Sequence, residues 1–110
     1  MAGKAIVTKS PLAGLEYDIA QEKASTLGRL GRQLEAALSA LEAYDEARRG
    51  LSANHDRDAR DALVAEAAQA LWYFVVQREV CGFRDSASVM RDYRVGREVW
   101  SRMGPLPAKR

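Results

Sequence analysis

Residues 11–49 read PLAGLEYDIAQEKASTLGRLGRQLEAALSALEAYDEARR, and this stretch decides the fold class. Its apolar positions 27, 30, 34, 37, 41 and 44 alternate steps of three and four, which is the heptad spacing of a helix face. Ser10-Pro11 is a helix start, because Ser can cap free N–H groups and Pro fits the first helical position. Arg48-Arg49-Gly50 is a helix stop. The pattern predicts one long helix over about residues 11–49.

Two glycines, Gly28 and Gly31, fall inside the heptad stripe at 27–44. Gly28 and Gly31 each cost about 1 kcal/mol relative to Ala in a helix interior. They can mark a break that gives two helices, or they can allow a neighbouring helix to approach closely. We favour a single helix, because the apolar stripe continues through the glycines and no Pro, Asn or Asp lies nearby. Upstream the heptad register drifts, since Lys23 and Glu16 stand where it would require apolar residues.

The remainder of the chain predicts three more helices. Asn54 or Asp56 can cap a second helix over about residues 56–81, which ends before Gly82. Two short helices follow at about 86–93 and 97–103, the first capped by Asp85 or Ser86 and the second stopped by Gly104-Pro105. The predicted fold is all-α, a long antiparallel helical hairpin with two short C-terminal helices. Residues 11–104 form a single helical domain, 1–10 a flexible arm and 105–110 a loose tail.

Composition fits one globular domain. The chain has 110 residues, of which 47% are apolar and 29% charged. A single cysteine, Cys81, excludes an intramolecular disulfide. The apolar runs 5–7 and 71–76 are too short for a secretion signal or a membrane span. These features predict a cytoplasmic protein that does not partner with a membrane.

Charge is distributed unevenly. Residues 1–77 carry 9 Lys/Arg and 11 Asp/Glu, a net of −2, whereas residues 78–110 carry 8 and 4, a net of +4. This asymmetry permits an acidic partner, but ion-paired helix surfaces are the more common cause. Two pairs have the favourable spacing of four, Asp45 with Arg49 and Glu98 with Arg102.

The sequence carries no pattern for catalysis, metal or cofactor. Cys81 and His55 are the only Cys and His, too few for a zinc site. They lie at opposite ends of one predicted helix, roughly 39 Å apart, so they cannot act together within one subunit. Gly28-x-x-Gly31 follows no strand and is not a phosphate loop. We therefore expect no enzyme activity, no cofactor and no metal.

Residues 87–103 resemble a helix-turn-helix, with Val95 in the turn. In that arrangement four arginines are the candidate nucleic-acid contacts: Arg91, Arg94, Arg97 and Arg102. Two features count against it, the absence of Gly before Val95 and the shortness of the second helix. Short helix pairs also commonly close a helical bundle. Nucleic-acid binding is therefore the alternative function.

The run LWYFVVQREVCGFRD at 71–85, followed by Arg91-Asp92-Tyr93 and Glu98-Val99, resembles a family of short uncharacterised bacterial proteins. The resemblance covers most of the chain beyond Pro11. It implies an all-helical bacterial protein of unknown function, and it supplies no activity and no catalytic residues.

The two long helices have unequal lengths, which favours self-association. The first would span roughly 58 Å and the second roughly 39 Å, so part of the stripe at 27–44 or at 12–19 stays uncovered. Large exposed apolar patches rarely persist on monomers. We expect a homo-oligomer, most simply a coiled-coil homodimer. The candidate self-association residues are Leu27, Leu30, Leu34, Leu38, Leu41 and Tyr44. A break at 28–31 would let the bundle close on itself and weaken this argument.

Overall fold

A computed structural model describes residues 11–50 and 56–104. Four helices follow in order: α1 (Pro11–Arg48), α2 (Arg57–Val80), α3 (Ser86–Asp92) and α4 (Arg97–Trp100). The all-α class and the long hairpin with two short C-terminal helices are therefore confirmed. The predicted arm at 1–10, the Asn54 cap, His55 and the tail at 105–110 lie outside the described residues.

The first helix runs through Gly28 and Gly31 without a break. Gly31 is buried, and a Cβ built there would lie 3.2 Å from Phe74 Cε1 and 3.2 Å from the Tyr93 hydroxyl. Phe74 and Tyr93 meet edge to face, with ring centroids 5.3 Å apart. Gly31 therefore leaves space for these two rings to pack against α1. This explains why a glycine occupies a helix-interior position where it lowers helix propensity.

The core is the seam between α1 and α2, closed at one end by the C-terminal helices. Leu34 and Leu41 of α1 face a small-residue stretch of α2 that includes Ala67 and Ala68. Small side chains let the two helices approach closely, and larger residues fill the space on either side. The remaining buried apolar residues complete the cluster: Val64, Leu71, Phe74, Val75, Val89, Val95 and Val99.

Both α2 and α3 end in a left-handed residue. Gly82 has φ +99°, and the Phe83 N–H donates to the Arg78 carbonyl oxygen at 2.8 Å. At the end of α3 the Val95 N–H donates the equivalent hydrogen bond to the Met90 carbonyl oxygen at 2.9 Å. The left-handed residue there is Arg94, with φ 54°. These are Schellman caps, in which glycine is the unstrained residue at the left-handed position.

The other helix ends differ in part from expectation. Asp85 caps α3 as predicted, its Oδ1 accepting from the Ser88 N–H at 3.3 Å. Asp56 precedes α2, but its side chain makes no capping bond. Its backbone is left-handed, and its carbonyl oxygen accepts from the Tyr44 hydroxyl at 3.0 Å. The last helix stops at Trp100, three residues before the predicted end at 103.

The molecule is long and thin. Its radius of gyration is 20.0 Å, and its principal extents are 76 × 31 × 20 Å. A compact domain of this size has a radius of gyration of about 13 Å. Part of this length comes from α1, which has 38 residues and spans roughly 57 Å, against 24 residues in α2. The N-terminal part of α1 therefore projects beyond the packed body.

The two Schellman caps predict opposite effects of substitution. Gly82→Ala places a Cβ at a positive φ and should lower the free energy of unfolding by about 1 kcal/mol. Arg94→Gly removes that strain and should raise it by up to about 1 kcal/mol. Urea denaturation followed by circular dichroism measures both. A loss of stability in Arg94→Gly would show that the arginine side chain stabilises the fold by more than its backbone strains it.

The same substitution at Gly31 and at Gly28 separates the effect of packing from the effect of helix propensity. Gly31→Val crowds the Phe74–Tyr93 pair and should cost about 1–3 kcal/mol. Gly28 is exposed, with only the flexible end of Arg32 within 4 Å of a built Cβ. Gly28→Val should therefore change stability by less than about 0.5 kcal/mol. Thermal unfolding of the two variants tests this, and equal losses would contradict a packing role for Gly31.

Candidate functional site

The N-terminal end of α1 is exposed along its whole circumference. Every residue from 11 to 22 is exposed, and we call this segment the overhang. Three of its apolar side chains, spaced three and four residues apart, share one face of the helix. Their exposed fractions are 61% for Leu12, 55% for Leu15 and 45% for Ile19. Tyr17, 64% exposed, points to the opposite side.

A groove of about 620 Å³ joins the overhang to the end of α2. Ile19 and Lys23 of α1 line one wall, and Val80, Cys81 and Phe83 line the other. Val80 and Phe83 are 50% and 51% exposed. The apolar face of the overhang therefore continues onto the body of the molecule. An apolar surface of this kind suits contact with another apolar surface.

Polar contacts fix the floor of this groove. The Gln77 side-chain amide donates to the Lys23 carbonyl oxygen at 3.3 Å, and the Cys81 thiol lies 3.8 Å from the same oxygen. Cys81 is partly buried. Arg78 stacks over the Phe83 ring at 5.2 Å and donates to the Asp85 carbonyl oxygen at 3.1 Å. The contacts of Gln77 and Cys81 join the end of α2 to α1, and the contacts of Arg78 hold the segment that follows α2.

Most of the predicted self-association residues are used inside one chain. Leu34 and Leu41 are buried in the core, and Leu27, Leu30 and Leu38 are partly buried against it. Tyr44 is also partly buried, and the Arg48 guanidinium lies over its ring at 4.9 Å. The part of the α1 apolar pattern that remains exposed is the overhang. On the sequence alone, residues 12–19 are one of two stretches that could stay uncovered. The spacing of three and four residues between its apolar positions is the signal that indicates an apolar helix face there.

The four candidate nucleic-acid contacts do not form one free surface. Arg102 is paired with Asp61 of α2 at 2.8 Å, and Arg97 lies over the Trp100 ring at 5.9 Å. Arg91 and Arg94 are exposed. The helix that would enter a groove of DNA is α4, which has 4 residues. One helical turn offers little length for reading base edges.

Ion pairs tie α4 and α1 to the start of α2. Arg60 donates to Asp45 at 2.7 Å and 3.0 Å and to Glu98 at 2.8 Å. The pairs predicted within helices, Asp45–Arg49 and Glu98–Arg102, do not form. Instead Arg49 pairs with Glu46, while Asp45 and Glu98 share Arg60. The two carboxylates therefore join different elements, because a fork-shaped guanidinium can bind both at once.

This network shifts the pKa of Asp45 and the pKa of Arg60. The hydrogen bond from Arg60 holds the pKa of the Asp45 carboxyl below its ordinary value. The bonds to Asp45 and Glu98 raise the pKa of Arg60. No polar or charged residue is buried among the described residues, so the network lies at the surface. It connects α1 and α4 to the start of α2.

Two groupings of residues are absent from the part of the chain that the structure describes. Across 11–50 and 56–104, no three His, Cys, Asp or Glu side chains are grouped so that they could hold a metal ion. In the same ranges no helix has the length and apolar character needed to cross a membrane. The exposed apolar residues of the overhang and of the groove together form an apolar face.

These features define a small all-helical hairpin protein with a projecting first helix. The model of a family of unknown function (DUF6665) matches residues 4–110, so the chain belongs to that family. The resemblance to a family of unknown function is thereby confirmed. No curated protein and no solved structure matches the chain.

The lowered pKa of Asp45 predicts a loss of stability in acid. A carboxyl whose folded-state pKa is depressed contributes stability above its unfolded pKa of about 3.9, and this is lost as pH falls through the folded value. Asp45 is 40% exposed, so its contribution should be below about 1 kcal/mol. Asp45→Asn should therefore be less stable than wild type at pH 7 and equally stable near about pH 2. Urea unfolding at several pH values measures the difference.

Glu66→Gln is the matched control for this experiment. Glu66 is an exposed carboxylate of α2 and forms no ion pair among the described residues. Its stability difference from wild type should stay nearly constant over the same pH range. A difference for Asp45→Asn that does not narrow in acid would contradict the assignment of Asp45 as an ion-pair partner.

Proposed function

We propose that this protein is a homo-oligomeric interaction or structural module, a dimer in the simplest case, that works without catalysis. The observation that carries the proposal is the overhang, whose apolar side chains Leu12, Leu15 and Ile19 are 45–61% exposed. A helix segment of 12 residues in which every residue is exposed gains little stability from packing and is marginal in water. A single contact with a partner would both stabilise the helix and remove its apolar face from water.

The free energy available at this surface is useful but modest. Complete burial of a Leu or Ile side chain is worth about 1.5–3 kcal/mol relative to full exposure. The three side chains are about half exposed, so each offers roughly 1 kcal/mol. A two-fold contact uses the same patch on both copies and doubles that total. Val80 and Phe83 at the groove extend the surface and increase the gain.

A second copy is the partner that we propose. Two-fold homodimers are the commonest oligomers, and they require a patch that is complementary to itself. An apolar helix face meets this requirement, because the same side chains pack against each other. Such a contact would also lie outside the core seam, so the hairpin would fold within each chain and dimerise through its projecting end.

Two finer statements belong to the same proposal. We infer a cytoplasmic location, supported by the single free Cys81, since disulfides are common in secreted small domains. We also infer the absence of catalysis, supported by the surface character of the polar groups. The alternative, a nucleic-acid-binding regulator using residues 87–103, has less support because Arg97 and Arg102 are engaged within the chain.

Two glutamate substitutions on opposite sides of the overhang test the proposal. Wild type should sediment as a dimer at tens of micromolar. Ile19→Glu places a charge on the apolar face and should raise the dissociation constant at least about tenfold. Tyr17→Glu adds the same charge two residues away on the other side and should leave it within about twofold. Sedimentation equilibrium measures all three proteins, and circular dichroism checks that each stays helical.

Two results would contradict self-association through this face. One is a wild-type protein that remains monomeric at these concentrations. The other is a dimer that Ile19→Glu and Tyr17→Glu weaken equally. Salt-sensitive binding of mixed-sequence DNA by a wild-type monomer would instead support the alternative.

A further inference from the structure

We propose that the two copies pair through antiparallel overhangs, with Leu12 of each copy opposite Ile19 of the other and the two-fold axis beside Leu15. This inference rests on the proposed self-association and specifies its geometry. It makes the overhang of one copy the partner of the same segment in the second copy.

The spacing of the apolar residues favours this alignment. Leu12 and Ile19 lie at the two ends of the exposed stripe, and Leu15 lies near its centre. When two such stripes run in opposite directions, each end faces the other end and the centre faces itself. Every exposed apolar residue of the stripe then meets another one. Shifting the alignment by a helical turn would leave one end of each stripe facing polar residues.

The charges of the overhang disfavour a parallel pair. Residues 11–22 contain Glu16, Asp18 and Glu22 and no Lys or Arg. A parallel pair in register would place each of these carboxylates beside its own counterpart, and like charges at such positions repel. In the antiparallel pair the two copies of Glu22 are separated by roughly 20 Å along the axis. Only Glu16, next to the two-fold axis, stays close to its counterpart.

The shape of the molecule leads to the same arrangement. The end of α2 lies beside Lys23, so the packed body begins where the overhang ends. Antiparallel overhangs put the two bodies at opposite ends of one rod. The overhang of each copy then lies along the line that α2 follows, and covers the length of α1 that α2 does not reach. A parallel pair would place both packed bodies side by side at the same end of the paired helices. The apolar contact between the overhangs does not require the bodies to meet.

Disulfide cross-linking between two single-cysteine variants tests the direction of the pair. Leu12→Cys and Ile19→Cys are made in a Cys81→Ser background, and one of them carries a tag that changes its mass. After mixing and mild oxidation, the mixed-mass disulfide should exceed either same-mass disulfide by at least about fivefold. Leu15→Cys should cross-link to itself and is the positive control. Tyr17→Cys, on the opposite side of the helix, should not cross-link.

Three outcomes would overturn the proposal at different levels. Predominant same-mass disulfides would show a parallel pair. A wild-type dimer in which Leu15→Cys fails to cross-link would show that the interface lies elsewhere. A wild-type monomer would overturn the proposed function itself.

A charge substitution gives an independent readout. Glu16→Gln removes the one like-charged contact near the axis and should tighten the dimer by about two- to fivefold. Asp18→Asn makes the same change in net charge farther from the axis and should alter the dissociation constant by less than about twofold. Equal tightening by both variants would indicate a general effect of net charge and contradict the assigned axis.

Discussion

The structure depends on one constraint, which is that a 38-residue helix packs against a 24-residue helix. Helix length sets the reach of apolar contact, since each residue adds about 1.5 Å. Roughly 20 Å of α1 therefore extends beyond the reach of α2. The short C-terminal helices pack on the body, where Val89, Val95 and Val99 join the core. The exposed overhang is thus a direct result of how the chain divides its residues between helices.

The body is fixed by two kinds of contact with different sensitivities. Apolar packing around Gly31, Phe74 and Tyr93 is close, so a small change in volume forces neighbouring groups to move. The ion pairs of Arg60 and Arg102 are surface contacts, and each is worth less to stability. Their value is positional, since they connect helices that lie far apart in sequence. Apolar packing supplies most of the stability, and the ion pairs fix the position of α4 on the body formed by α1 and α2.

The sequence predicted the long helices almost to the residue, because Pro11, Gly50 and Gly82 mark their ends chemically. It did not predict the partners of Asp45 and Glu98, since the spacing rule for helices describes only neighbours in sequence. It also left open whether 12–19 or 27–44 would remain exposed. That choice depends on where α2 lies along α1, which local patterns do not encode. Close approach of a neighbouring helix was one of the two roles that the sequence allowed for Gly31. The identity of the rings that approach it, Phe74 and Tyr93, follows only from the tertiary fold.

An exposed apolar helix end is also a risk for aggregation, and its geometry decides whether association stops. A head-to-tail contact between the overhang and a different surface leaves one overhang unused until a ring closes, and where the rotation does not close a ring, copies continue to add as a filament. A two-fold contact between overhangs uses both at once and closes after two copies. The acidic residues of the overhang act in the same direction, because three or more overhangs gathered in parallel would concentrate their charges. Self-complementarity and charge together therefore favour a closed pair over open-ended growth.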